Sequence, residues 1–92
     1  MKKNNEQFKK VFTTLDSYIS GYLTLKGFIP KLIKQGDKVV FAFSSSDALY
    51  QAITEYNNGA IVSASQLALA VKTLKSQIHS LRRNKEYEFS KA

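Results

Sequence analysis

The chain has 92 residues, a hydrophobic fraction of 43%, no cysteine and a formal net charge of +7. This length supports a single domain, and the lack of cysteine excludes disulfides, thiol catalysis and cysteine-ligated metals. No apolar run reaches the about 18 residues of a membrane-spanning helix, and the polar residues 1–6 do not resemble a signal peptide, so we expect a cytoplasmic protein that does not bind membranes.

The first residues predict a tail and a short strand. Residues 1–9 are rich in lysine and other polar residues, and we expect them to form a flexible tail. They lead into residues 10–13, where Val11 and Phe12 favour a strand.

A helix is predicted next. Thr13-x-x-Asp16 is a variant of the capping box, in which the Thr13 hydroxyl would cap the helix N-terminus. Apolar residues then recur at helical spacing and make one apolar face: Leu15, Tyr18, Ile19, Tyr22 and Leu23. Gly27 ends the helix, because glycine takes the left-handed conformation at little cost.

A β-hairpin is predicted over residues 28–44. Two apolar runs, 28–34 and 38–44, flank a short loop that contains glycine. Pro30 has no amide proton to donate, which places the first of these strands at a sheet edge. Residues 38–44 are apolar on both faces, which favours a central strand.

The second half of the chain predicts two helices. The serines 44–46 supply hydroxyls for the start of the first helix, which ends at Asn57-Asn58-Gly59. Residues 60–62 are predicted as a last short strand. Ser63-x-x-Gln66 is a second capping box, which opens a long helix to about residue 83, and residues 84–92 are expected to be a flexible tail.

The predicted order is therefore (β)αββα(β)α, a single α+β domain over residues 10–83. With both short strands formed, this is a small ferredoxin-like sheet with helices and a long C-terminal helix. The periodicities predict one core from three helices and the central strand. Its expected members are Tyr18, Tyr22, Phe41, Phe43, Leu49, Ile53, Leu67, Val71 and Leu74.

The last helix carries two features side by side. Apolar residues recur at spacings of four and three, and we call them the apolar seam: Leu67, Val71, Leu74, Ile78 and Leu81. At about 100° per residue, the cations fall on one flank of the seam, and we call them the cationic flank: Lys72, Lys75, His79, Arg82 and Arg83. No acid occurs between residues 72 and 85.

Two interpretations of the cationic flank stay open at this point. It can contact nucleic acid through phosphates, or it can bind an acidic protein partner. The predicted helix is also longer than the two helices before it and long for a small domain, so we predict a homodimer formed partly through Ile78 and Leu81.

Catalysis is poorly supported by the sequence. His79 is the single histidine and lies among cations with no acid nearby in sequence to orient it. No nucleotide-binding glycine loop or zinc-protease motif occurs, and the seven acids are scattered. We therefore expect no catalytic residues, no metal and no cofactor.

Phe41-Ala42-Phe43 invites comparison with the RNA-recognition motif, in which aromatic residues on a central strand stack bases. The flanking Val39-Val40 and the serines 44–46 differ from that motif, and we expect Phe41 and Phe43 to lie in the core.

The opening pattern Phe12-Thr13-Thr14-Leu15-Asp16-x-Tyr18-Ile19-x-x-Tyr22-Leu23-x-x-x-Gly27-Phe28 resembles a family of small bacterial and phage domains of unknown function. The resemblance extends to the aromatic pair of the hairpin, to Asn58-Gly59 and to Leu74-Lys75, and covers about residues 10–82. It implies no activity, cofactor or site, and it favours a phage or mobile-element accessory protein. A phage-type inhibitor or adaptor is the form that the second interpretation takes, in which the cationic flank binds an acidic protein.

Overall fold

The computed structural model describes the backbone of residues 10–91 and the side chains of residues 10–82. Its elements are β1 (Val11–Thr14), α1 (Ser17–Leu25), β2 (Lys31–Gln35), β3 (Lys38–Ser44), α2 (Asp47–Asn57) and α3 (Ala64–Lys91). The predicted α+β class with a long C-terminal helix is confirmed. The predicted tail at residues 1–9 lies outside the described residues.

The three strands form one antiparallel sheet in the order β1-β3-β2. As predicted, β3 is central, and β2 lies at an edge and begins directly after Pro30. Phe43 lies opposite Phe12, and Phe41 lies opposite Leu32. Directly opposed residues share a face of a sheet, so these four side chains form one apolar face, on which the helices pack.

The sheet lacks the predicted strand at 60–62, and this expectation is wrong. Residues 60–63 carry no strand, and the Ile61 side chain is 97% exposed. They form the link between the cap that ends α2 and Ser63, which accepts a hydrogen bond from the backbone N of Gln66 (3.3 Å) at the start of α3. The segment is too short to leave these caps and pair with β1.

The last helix is longer than predicted. We expected it to end near residue 83, but α3 continues to Lys91. Residues 84–91 contain lysine and glutamate, which have high helix propensity, and neither glycine nor proline. The sequence therefore offers no stop signal there.

Helix α1 is capped by Asp16, not by Thr13 as predicted. The Asp16 Oδ1 accepts hydrogen bonds from the backbone N of Tyr18 (2.8 Å) and of Ile19 (3.3 Å). Thr13 lies within β1, paired with Ala42, and is therefore too far back along the chain to cap. Its neighbour Thr14 instead accepts a hydrogen bond from the Asp16 backbone N (3.0 Å).

Helices α1 and α2 end in the same way, at glycines with positive φ. Gly27 has φ +99° and Gly59 has φ +85°. After α1, the backbone N of Phe28 donates to the Leu23 carbonyl at 3.0 Å, which completes a Schellman motif. The motif returns the Phe28 side chain to the core, where it packs against the buried cluster.

Most of the predicted core is confirmed. The predicted residues that are buried are Tyr22, Phe41, Phe43, Leu49, Val71 and Leu74, and Ile53 and Leu67 are half-buried against the same cluster. Tyr18 was expected in the core, but it is 55% exposed, and Leu15 is 57% exposed. Leu15 precedes the helix, and Tyr18 lies about 100° around the helix from Ile19, so the two cannot both face the centre of the core.

Helix α1 crosses α3 at a very short separation. A Cβ added at Gly21 would lie 2.8 Å from Val71 Cγ2 and 3.4 Å from the Val71 backbone N. Gly21 is itself buried within α1. The absence of a side chain at this position therefore sets how closely the two helices approach.

We predict that Gly21→Ala destabilises the protein. Alanine gains about 1 kcal/mol of helix propensity over glycine, but overpacking at Val71 costs about 1–3 kcal/mol. In a Val71→Ala background, which lacks Cγ2, the same change should be neutral or stabilising. A double-mutant cycle from denaturant unfolding measures the coupling, and equal effects of Gly21→Ala in both backgrounds would contradict this packing.

We also predict that Phe41→Ala lowers the free energy of unfolding by about 3–5 kcal/mol, because it leaves a cavity under the central strand. Phe41 is 1% exposed. Ile61→Ala is the matched control, since it removes a large apolar side chain that is 97% exposed, and its effect should stay within about 0.5 kcal/mol. Similar losses in both variants would show that the core is wrongly assigned.

Candidate functional site

The apolar seam of α3 is used inside the domain. Val71 and Leu74 are buried, and Leu67, Ile78 and Leu81 are half-buried. Leu67 and Ile78 pack against the central cluster. Helix α3 therefore presents its two flanks, and not its seam, to the surroundings.

This packing bears on the predicted self-association residues. Ile78 contacts the core of its own domain, and Leu81 keeps only part of its surface exposed. A dimer through these two residues would use the surface that remains. The homodimer stays a prediction.

Three members of the cationic flank meet at one shallow depression beside α1. Lys72, Lys75 and His79 are exposed and line a space of about 320 Å³. Ala68 and Val71 add apolar surface to its lining, and Ser76 and Tyr18 complete it. We call this the Tyr18 depression.

Tyr18 is the residue that the sequence analysis missed. Tyr18 is 55% exposed, and the Lys75 Nζ lies over its ring, 5.8 Å from the ring centroid. This distance is within the range of a cation–π contact. A signal was present in the sequence: Tyr18 and Ile19 are adjacent, so one of them had to leave the centre of the buried face.

The two arginines of the cationic flank are placed differently. Arg82 lies one turn beyond His79, and its Nη2 is 3.5 Å from the backbone carbonyl oxygen of Asp37 in the hairpin turn. The side chain of Arg83 lies outside the described residues. The structure thus brings Lys72, Lys75 and His79 together and turns Arg82 toward the hairpin.

Among the side chains that the structure describes, no acid lines the Tyr18 depression. The acid nearest to Tyr18 in sequence is Asp16, whose Oδ1 is held by two backbone amides at the N-terminus of α1. Burial raises the pKa of the Tyr56 hydroxyl, and the Asp16 carboxylate and Tyr18 raise it further. Asp16 therefore caps α1 and helps to raise the pKa of the Tyr56 hydroxyl, and it forms no part of the lining around Lys72 and Lys75.

A second surface lies on the other side of the α1–α3 contact. The α1–β2 connection and α3 enclose an open apolar groove of about 750 Å³. Three large apolar residues on it are exposed: Leu25, Ile29 and Leu69. Every residue that lines the groove is uncharged. Sequence reasoning missed it because Leu69 lies off the apolar seam and Ile29 lies in a connection.

Within the described part of the chain, no cluster of three or more histidine, aspartate or glutamate side chains is arranged to hold a metal ion. None of its helices combines the length and apolar character needed to cross a membrane.

The sequence matches a domain family over residues 9–80, from the start of β1 into α3. The chain belongs to the family described as a domain of unknown function, DUF5659. This confirms the resemblance to a small family of unknown function, while the opening pattern as its signature and a bacterial or phage origin stay predictions. The match includes Tyr18 and the three cations of the depression and ends before Arg82. Comparisons with curated proteins and with solved structures gave no match.

Proposed function

We propose that this protein is a non-enzymatic module that binds nucleic acid through phosphate contacts from α3. The observation that carries the proposal is the Tyr18 depression, where Lys72, Lys75 and His79 are exposed on one face and no acid within residues 10–82 lines the surface. Arg82 continues the same flank toward the hairpin, and Arg83 belongs to this flank by its spacing in the sequence. Contacts of this kind are made to the backbone and are therefore largely independent of base sequence.

Stabilisation of the helix end does not account for the position of these cations. Cations stabilise the last turn of a helix by interacting with its dipole, but α3 runs to Lys91. Lys72, Lys75 and Arg82 all lie upstream of that last turn. No residue between 72 and 85 is acidic, so this stretch does not supply its own counter-charges. A polyanion would supply them.

We predict that changing Lys72, Lys75, Arg82 and Arg83 together to Gln weakens binding to any duplex by a similar factor. Each phosphate contact that is lost should flatten the plot of log K against log salt by about 0.9. Fold should survive, since these side chains lie off the apolar seam. Anisotropy titrations with labelled DNA and RNA at two salt concentrations measure both effects.

The matched control removes charge from elsewhere on the surface. Lys10 and Lys31 are exposed and lie outside α3, so the Lys10→Gln, Lys31→Gln variant is compared with Lys72→Gln, Lys75→Gln at equal net charge. The proposal requires the α3 pair to lose more affinity. If the wild type binds neither DNA nor RNA at low salt, the proposal is wrong.

A second candidate function is the binding of an acidic protein partner, and the apolar groove favours it. Exposed Leu25, Ile29 and Leu69 offer apolar contact area, while the exposed Lys26 and Lys31 adjoin lining residues of the groove. An amphipathic helix with apolar residues on one face and glutamates beside them complements this surface.

For this second function we predict that a leucine-and-glutamate amphipathic helical peptide shifts the methyl NMR signals of Leu25, Ile29 and Leu69. Leu69→Ser should lower the affinity for the peptide by about tenfold or more, because it removes apolar surface from the groove. Ile61→Ser, exposed but outside the groove lining, is the control. Shifts confined to residues around Lys72 would assign an acidic partner to the cationic flank instead.

A further inference from the structure

We propose that the Tyr18 depression holds an unpaired base, so that the protein binds single-stranded nucleic acid in preference to duplex. This inference rests on the proposed function, and it names the class of nucleic acid that the same site takes. Its basis is the juxtaposition of an exposed aromatic ring with three cations.

The first step of the argument is the character of the surface. Proteins that bind single strands combine a positive groove for the backbone with aromatic side chains on which bases stack. The lining of the depression supplies both, through the ring of Tyr18, the charges of Lys72 and Lys75 and the imidazole of His79. Ala68 and Val71 add apolar surface where the base would lie. In a duplex the faces of the bases are already stacked on each other, so no free base face is available to stack on the Tyr18 ring.

The second step is the spacing of the cations. Lys72, Lys75 and His79 follow one another along one flank of α3, over about 10 Å at a rise of 1.5 Å per residue. The three side chains therefore form one row that can follow the backbone of a bound strand, with Tyr18 beside the middle one, Lys75.

The third step concerns Lys75. Its Nζ lies 5.8 Å from the centroid of the Tyr18 ring. This contact places the ammonium over one face of the ring, where it can meet the phosphate of a nucleotide whose base lies in the depression. The Tyr18 residue remains 55% exposed despite this contact, which leaves ring surface free for a base.

The other aromatic residues of the described chain are less suited to this role. Phe41 and Phe43 are each 1% exposed, which excludes the RNA-recognition-motif comparison based on them. Tyr50 is 46% exposed, but its hydroxyl is hydrogen bonded to Ser45 at 2.9 Å and its ring packs edge-on against Phe12. Tyr50 therefore serves as the matched aromatic control.

The test is an anisotropy titration of the full chain with a labelled 12-nucleotide oligo-dT and with a labelled 12-base-pair duplex. Wild type should bind the single strand more tightly. Tyr18→Ala should weaken single-strand binding by about 5- to 150-fold, with little change in duplex binding or in the salt slope. Tyr18→Phe should keep the affinity, and Tyr50→Ala should have no effect.

Tyr18→Leu separates stacking from burial, because leucine keeps apolar contact with α3 but has no aromatic face. It should lose single-strand affinity as Tyr18→Ala does, while its melting temperature stays near that of the wild type. A Tyr18→Leu variant that binds oligo-dT as the wild type does would overturn the inference.

The remaining outcomes distinguish the two proposals. Equal binding of both DNAs, unaffected by Tyr18→Ala, overturns the single-strand inference and leaves phosphate binding in place. No binding of either DNA at low salt removes both. Tighter binding of poly-glutamate than of oligo-dT, also unaffected by Tyr18→Ala, overturns the inference in favour of an acidic protein partner.

Discussion

The close contact between α1 and α3 determines both surfaces of this protein. Gly21 allows the helices to approach until a Cβ would meet Val71 Cγ2 at 2.8 Å. On one side of this contact, the first turn of α1 places Tyr18 beside Lys72, Lys75 and His79. On the other side, the end of α1 and the connection to β2 form the apolar groove against α3. A larger residue at position 21 would separate the walls of both surfaces at once, so the packing of a small buried residue and the geometry of the candidate sites depend on each other.

Local chemistry in the sequence was enough to predict most of the fold. Pro30 placed β2 at an edge, and the two apolar faces of β3 placed it at the centre, as observed in the order β1-β3-β2. Gly27 and Gly59 end α1 and α2 at positive φ. The predictions failed where several local solutions compete. Asp16 and Thr13 can both cap a helix, and only the pairing of Thr13 with Ala42 decides between them. Residues 60–62 favour a strand by propensity, but the caps on either side decide their path.

The candidate site has one part that depends on a single helix and another that depends on the packing of two helices. The flank formed by Lys72, Lys75 and His79 belongs to a single helix, so its periodicity is visible in the sequence. The spacing within α1 shows that Tyr18 and Ile19 cannot both face the centre of the core, but which of them leaves it depends on how α1 packs on α3. A helical face predicted from apolar residues alone also treats Tyr18 as equivalent to Ile19, although a tyrosine at the border of a face can bury its ring edge and keep its surface in water.

Charge connects the nucleic-acid proposal to the predicted homodimer. Ile78 and Leu81 lie next to the cationic flank on α3, so two copies joined through them would bring their cations close together. With a net charge of +7 per chain, that repulsion opposes association at low salt. At 0.1 M ionic strength, salt screens the repulsion between charges more than about 10 Å apart. A polyanion lying along both flanks would neutralise it, and a ligand that binds the dimer better than the monomer stabilises the dimer by mass action. We therefore predict that a dimer of this geometry becomes more stable when oligo-dT is added, which sedimentation at micromolar protein measures directly. A dimer that dissociates on addition of the oligonucleotide would place the interface elsewhere or the nucleic acid across it.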